Sequence, residues 1–198
     1  NVSMGNYFNS VDNSESAIKH FDEVIRITDV SIKNSKLSYK DRSNFISNKM
    51  TAMVGKNTAL HRIDPDSERK KNLALKLIEM NSEFELLDKR TDGYEYLVDY
   101  YFDTEDYENV KLTYQKIYKL LDQQVVEAKK IERVSSRDQW VGFKVAGIRS
   151  TKFDEGFHYV ALNRFNEAIN IADQLKEYET KDEGAGEIYD KVALLNLR

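Results

Sequence analysis

Between Tyr94 and Tyr118 the chain places seven of its twelve tyrosines, and Tyr100, Tyr107 and Tyr114 stand seven residues apart. Seven residues is close to two helical turns, so these three rings are expected on one face of a helix. Asp99, Asp103, Glu105, Asp106 and Glu108 are interleaved with them. Flat rings with polar tips, set beside carboxylates, suit a cationic, sugar-like or peptide ligand. The other reading is that the rings seal a helical core and lean their hydroxyls outward, as aromatic stripes at this spacing usually do. Both stay open at this level. The residues that would form a ligand- or partner-binding face are Tyr100, Tyr101, Asp103, Asp106, Tyr107 and Tyr114.

Other chemistry is thinly represented. Asp154 and His158, four apart, could set two metal ligands on one helical face, but no third ligand lies nearby in sequence. A hydrogen-bonded histidine at the core margin is the expected role of His158, and structural roles are expected for His20 and His61 as well. The acids between Asp103 and Glu108 lack the spacing and glycine of the known calcium loop, so capping and solvation are expected of them. Cysteine is absent, which removes any thiolate nucleophile or Cys-ligated metal. There is no nucleophile elbow, phosphate-binding glycine loop, paired-histidine zinc motif or dinucleotide fingerprint. With 34 carboxylates accidental pairs are guaranteed, so spacing nominates no general acid and base. No catalytic residue, metal or cofactor is assigned, and a non-enzymatic role is expected.

Charge points the same way. A net charge of -4 argues against nucleic acid as a partner, because phosphate binding needs clustered cations. The longest basic run is Arg69, Lys70 and Lys71, which reads as a solvated helix face. No apolar run approaches the roughly 18–20 residues that a membrane span requires. The chain opens on Asn1, so any leader or signal peptide is expected ahead of it.

The elements that must position these residues are helical. Met4, Val11, Ile18, Ile25 and Ile32 recur every seven residues and predict a first helix over about 4–33. The stripe lapses from Asn34 to Arg42, then Phe45, Ile46, Met50, Met53 and Val54 restore it up to the boundary at Asp64–Pro65. Beyond Pro65, Leu73, Met80, Leu87, Tyr94 and Tyr101 predict one long helix. Tyr107, Tyr114, Leu121 and Ala128 predict the next, and the phase slips between them. That slip at Asp103–Asp106 is either a tight turn capped by Asp103 or an irregularity in one long helix. Ser135, Ser136 and Asp138 suggest a turn, and Gly142, Gly147 and Gly156 weaken the helix signal there. Trp140, Phe143, Val145 and Ile148 would cover one end of the bundle. Helix returns with Phe157, Ala161, Phe165, Ala168, Ala172 and Leu175, breaks at Gly184 and Gly186, and ends in a short helix around Ile188, Val192 and Leu195. No unit repeats near the 34 residues of a tetratricopeptide. The expected fold is all-α: an elongated antiparallel helical bundle with a short C-terminal helix, forming a single domain over 1–198.

The stretch Tyr94-Glu95-Tyr96-Leu97-Val98-Asp99-Tyr100-Tyr101, followed by Asp106-Tyr107-Glu108, resembles the YiiG-like family of bacterial lipoproteins. The Tyr7–Asp12 segment and the helix from Glu155-Gly156 to Leu175 are similar to it in order and spacing. The resemblance implies a helical domain of unknown activity, tethered to a bacterial envelope membrane through a lipidated cysteine ahead of this sequence. It singles out Tyr100, Tyr101 and Tyr107. The membrane would be reached only through that lost anchor. The expected function is therefore non-catalytic, an envelope domain that binds a protein or small ligand through a bundle face. An immunity-type inhibitor of an envelope-targeted toxin is the sharper alternative, and an enzyme of unknown class the remoter one.

Overall fold

Among the described residues, three other than glycine have positive φ: Asp12 at 56°, Glu105 at 59° and Asn163 at 56°. Each ends one helix in the same way. The N–H of the left-handed residue reaches back three positions, and the next N–H reaches back five. The bonds are Asp12 to Asn9 and Asn13 to Phe8, Glu105 to Phe102 and Asp106 to Tyr101, and Asn163 to Val160 and Arg164 to Tyr159. A new helix starts at once after each, and the residue four positions beyond the second donor is Ala17, Val110 or Ala168, all buried. One corner is used three times.

The computed structural model describes residues 2–33, 36–64, 67–178 and 183–196. Among them the architecture is all-α, with no strand. The helices are α1 (Val2–Ser10), α2 (Ser14–Ile32), α3 (Tyr39–Ile63), α4 (Glu68–Met80), α5 (Asp92–Asp103), α6 (Tyr107–Ala128), α7 (Val134–Ala161), α8 (Phe165–Leu175) and the short C-terminal α9 (Glu183–Asn196). Contacts divide the chain into two compact units, Asn1–Thr113 and Tyr114–Arg198.

In the first unit α2 packs along α3, with α1 and the α4–α5 pair against them. Phe21 is fully buried among Ala17, Val24, Ala52 and Ala59. Its ring fits because Gly55 and Gly5 flank it. A Cβ at Gly55 would lie 2.3 Å from Phe21 Cζ, and one at Gly5 would lie 2.6 Å from Cε1. A second cluster joins Ile46, Met50 and Met53 of α3 to Leu77 of α4. In the second unit α7, α8 and α9 enclose Val160, Ala168, Ile171, Ala172, Leu175, Ile188 and Val192.

Several boundaries differ from the sequence expectation, each for a local reason. The helix expected over 4–33 is two, because Asp12 turns left-handed and Asn13 accepts from the N–H of Ser16 to cap α2. The helix expected from beyond Pro65 to Tyr101 is also two, joined through short 3-10 turns at Asn81–Glu83 and Leu86–Asp88. Buried Asn81 holds that connection, donating to the Arg90 carbonyl at 2.8 Å and accepting from the Arg90 N–H at 3.0 Å. Ser135, Ser136 and Asp138 lie inside α7, which runs 28 residues through all three glycines. Gly156 is there for packing: a Cβ would come within 2.4 Å of Ile188 Cδ1. Of the residues expected to cover one end, Phe143 is exposed and Ile148 is buried. Gly184 and Gly186 belong to α9 rather than to a break. Pro65 and Asn34 lie outside the described residues, between helices that end at Ile63 and Ile32.

Candidate functional site

The corner between α5 and α6 divides the tyrosine series. Tyr100 closes α5, Tyr107 opens α6, and Tyr114 falls in the second unit, so the three rings do not share one helix face. Tyr100 is 7% exposed and donates its hydroxyl to Glu68 Oε1 at 2.8 Å. That bond, with Lys71 adding its charge, holds the Glu68 carboxyl below the usual carboxylate range. Tyr101 stands edge-on to Tyr100, and Tyr107 edge-on to Phe102. Asp106, not Asp103, is the cap: its Oδ1 accepts from the N–H of Asn109, and its Oδ2 from Asn109 Nδ2 at 2.7 Å.

Asp103 faces α4 instead. It accepts from Lys70 Nζ at 2.9 Å, and Lys70 Nζ also lies 2.8 Å from His61 Nδ1. Lys70 is only 1% exposed. The basic run was expected to be one solvated face, and the structure corrects this, because consecutive helix positions point about 100° apart. Lys70 turns inward, Lys71 turns to Glu68 and the Tyr100 ring, and Arg69 turns to a third direction described below.

The second unit holds a polar cluster that joins Tyr114 and His158 to Tyr118, Lys152 and Glu155. Tyr118 donates to Glu155 Oε2 at 2.6 Å, and Tyr114 OH lies 2.6 Å from His158 Nδ1. Lys152 sits over the Tyr118 ring at 4.7 Å and donates to Gln174 Oε1 at 2.8 Å. Burial pushes the Tyr118 phenol far above its ordinary value, with the Glu155 charge adding to it. Burial also pushes Tyr159 up to about 12. These phenols stay protonated and serve as donors. His158 has the hydrogen-bonded role expected of it, and Lys152 and Glu155 were assigned none. Asp154 is raised by burial, and His158 is engaged with Tyr114. Among the described residues, no group of three or more His, Cys, Asp or Glu side chains could hold a metal ion.

A space that could take a ligand lies elsewhere in the first unit. A groove of about 440 Å³ runs between α2, α3 and α4. Ile18 and Asp22 of α2, Lys56, Leu60 and Ile63 of α3, and Arg69, Asn72, Leu73 and Lys76 of α4 line it. Each set follows helical spacing, four apart on α2, four then three on α3, and three, one, three on α4, so each presents one face. Four aliphatic side chains make the floor. Asp22 accepts from Lys56 at 2.5 Å, and neither Arg69 nor Lys76 forms an ion pair among the described residues. No sequence signal marked this groove, since its residues come from three separate helices.

Among the described residues no helix is long and apolar enough to cross a membrane. No protein-family model, curated protein or solved structure matches the chain.

Proposed function

We propose that this chain is a non-catalytic binding domain of a bacterial envelope lipoprotein, and that it takes a ligand with an apolar body in the groove between α2, α3 and α4. The single observation that carries the reading is the groove itself. Its 440 Å³ falls within the roughly 300–1,000 Å³ of small-molecule sites, and its floor of Ile18, Leu60, Ile63 and Leu73 is apolar with a polar rim. The residues first suspected from sequence support binding there less well. Tyr100, Asp103 and Asp106 have their polar tips engaged within the protein, leaving Tyr101 and Tyr107 as half-buried rings. The envelope setting rests on the resemblance of the Tyr94–Tyr101 and Asp106–Glu108 segments.

The test is a titration with the neutral fluorescent probe N-phenyl-1-naphthylamine. Saturable binding to the wild-type chain is expected, with at least a tenfold loss in Ile63→Asp, an exposed floor position whose change leaves the core intact. Absence of saturable binding, or binding unchanged in Ile63→Asp, contradicts the reading.

A further inference from the structure

The charges around the groove narrow what it accepts. We propose that the groove binds an amphipathic oxyanion: an aliphatic chain lying on the Ile18, Leu60, Ile63 and Leu73 floor, with a carboxylate or phosphate head held by Arg69 and Lys76. This rests on the groove being a binding site, and it names the chemistry of the occupant.

Three cations line the groove, Lys56, Arg69 and Lys76, against one carboxylate, Asp22. Lys56 and Asp22 satisfy each other at 2.5 Å across the α2–α3 seam, which leaves two positive charges facing the space. Arg69 and Lys76 are two turns apart on one face of α4, roughly 10 Å along the axis, within reach of a common head group through their long side chains. A guanidinium offers a fork of donors that matches the two oxygens of a carboxylate or phosphate, and a lysine adds a point charge. Asn72 lies between them on the same face and can donate through its amide.

The chain as a whole is acidic, at -4, yet this groove is cationic. A cation with an apolar tail would meet two like charges at the rim, which costs more the less water lies between them. A neutral apolar ligand would use the floor but leave both cations unanswered. An oxyanion-headed chain uses both features. The neighbouring basic residues do not compete for it, because Lys70 is committed to Asp103 and Lys71 to Glu68.

The experiment displaces bound N-phenyl-1-naphthylamine with decanoate, decyl phosphate or decyltrimethylammonium, three ligands of equal chain length and different head. In the wild-type chain the better of the two anions should displace the probe at concentrations at least tenfold lower than the cation. Decyl phosphate outcompeting decanoate, or the reverse, supports the proposal and identifies the head. Raising the salt from about 0.05 M to about 0.5 M should shrink the preference, since the rim charges are exposed. The double variant Arg69→Gln/Lys76→Gln should still bind the neutral probe and lose the preference for anions. Equal displacement by anion and cation in the wild-type chain overturns the proposal, as does a preference that survives the double variant. Retained probe binding in either case leaves the groove reading standing, whereas failure of the probe itself removes that reading.

Discussion

Lys70 of α4 and Asp103 of α5 meet at 2.9 Å, with the lysine almost wholly buried and the aspartate partly so. The pair ties α5 to α4 and draws Asp103 away from the surface suggested by its neighbours in sequence. Its strength follows from burial: removing Asp103 takes a carboxylate away from a buried ammonium.

Asp103→Ala should therefore destabilise the chain by about 3 kcal/mol, because it leaves the Lys70 ammonium with its principal carboxylate gone. The double variant Lys70→Met/Asp103→Leu should recover more than half of that loss. Urea denaturation of the three proteins measures both numbers. A double variant no more stable than Asp103→Ala would mean that the two side chains act independently.

Alkaline pH should weaken the second unit. The phenols of Tyr118 and Tyr159 are raised above their ordinary value of 10.0, the second to about 12, with burial the largest cause in each. Above pH 10 the unfolded chain gives up these protons while the folded chain keeps them, so stability falls as pH rises. Below pH 10 their contribution is fully present. Melting temperatures between about pH 9 and pH 12 should drop steeply in the wild-type chain and less steeply in Tyr118→Phe. Tyr118→Phe itself should cost about 1–3 kcal/mol at neutral pH, since Glu155 loses one of its donors.

Two glycines should answer an alanine in opposite ways. At Gly55 the added Cβ meets the Phe21 ring at 2.3 Å, and Gly5 on the other side of that ring leaves little room to retreat. Gly55→Ala should cost about 1–3 kcal/mol, and pairing it with Phe21→Leu should recover part of this. At Gly142, inside α7, nothing lies within 4 Å of the added Cβ. Gly142→Ala should stabilise by about 1 kcal/mol through helix propensity alone. Thermal melts of the two single variants, shifted in opposite directions, are the check.

The all-α class and the course of α3 and α6 were legible because apolar residues recur at helical spacing over many turns, as with Ile46, Met50 and Met53. Breaks were less legible. Asp12, Glu105 and Asn163 turn the chain without glycine or proline, and their unequal spacing hides the shared corner from a search for a fixed period. Glycines misled in the other direction: Gly147 and Gly156 mark close approach within a continuous helix rather than an end. The sequence grouped Tyr100, Tyr101, Asp103, Asp106, Tyr107 and Tyr114 because they are neighbours along the chain. In space the corner at Glu105 sends them to different partners. The groove stayed hidden for the converse reason, since Ile18, Leu60 and Leu73 become neighbours only when three helices pack.

The groove between α2, α3 and α4 is where the ligand is proposed to sit, and methyl resonances locate this directly. Titrating N-phenyl-1-naphthylamine into the chain with labelled isoleucine and leucine methyls exposes the groove floor to the ring currents of the probe. Saturable shifts are expected on Ile18, Leu60, Ile63 and Leu73, with the methyls of the second unit unmoved. Shifts concentrated instead near the α5–α6 corner, or on Leu121, Ile171 and Ile188 of the second unit, would contradict that placement.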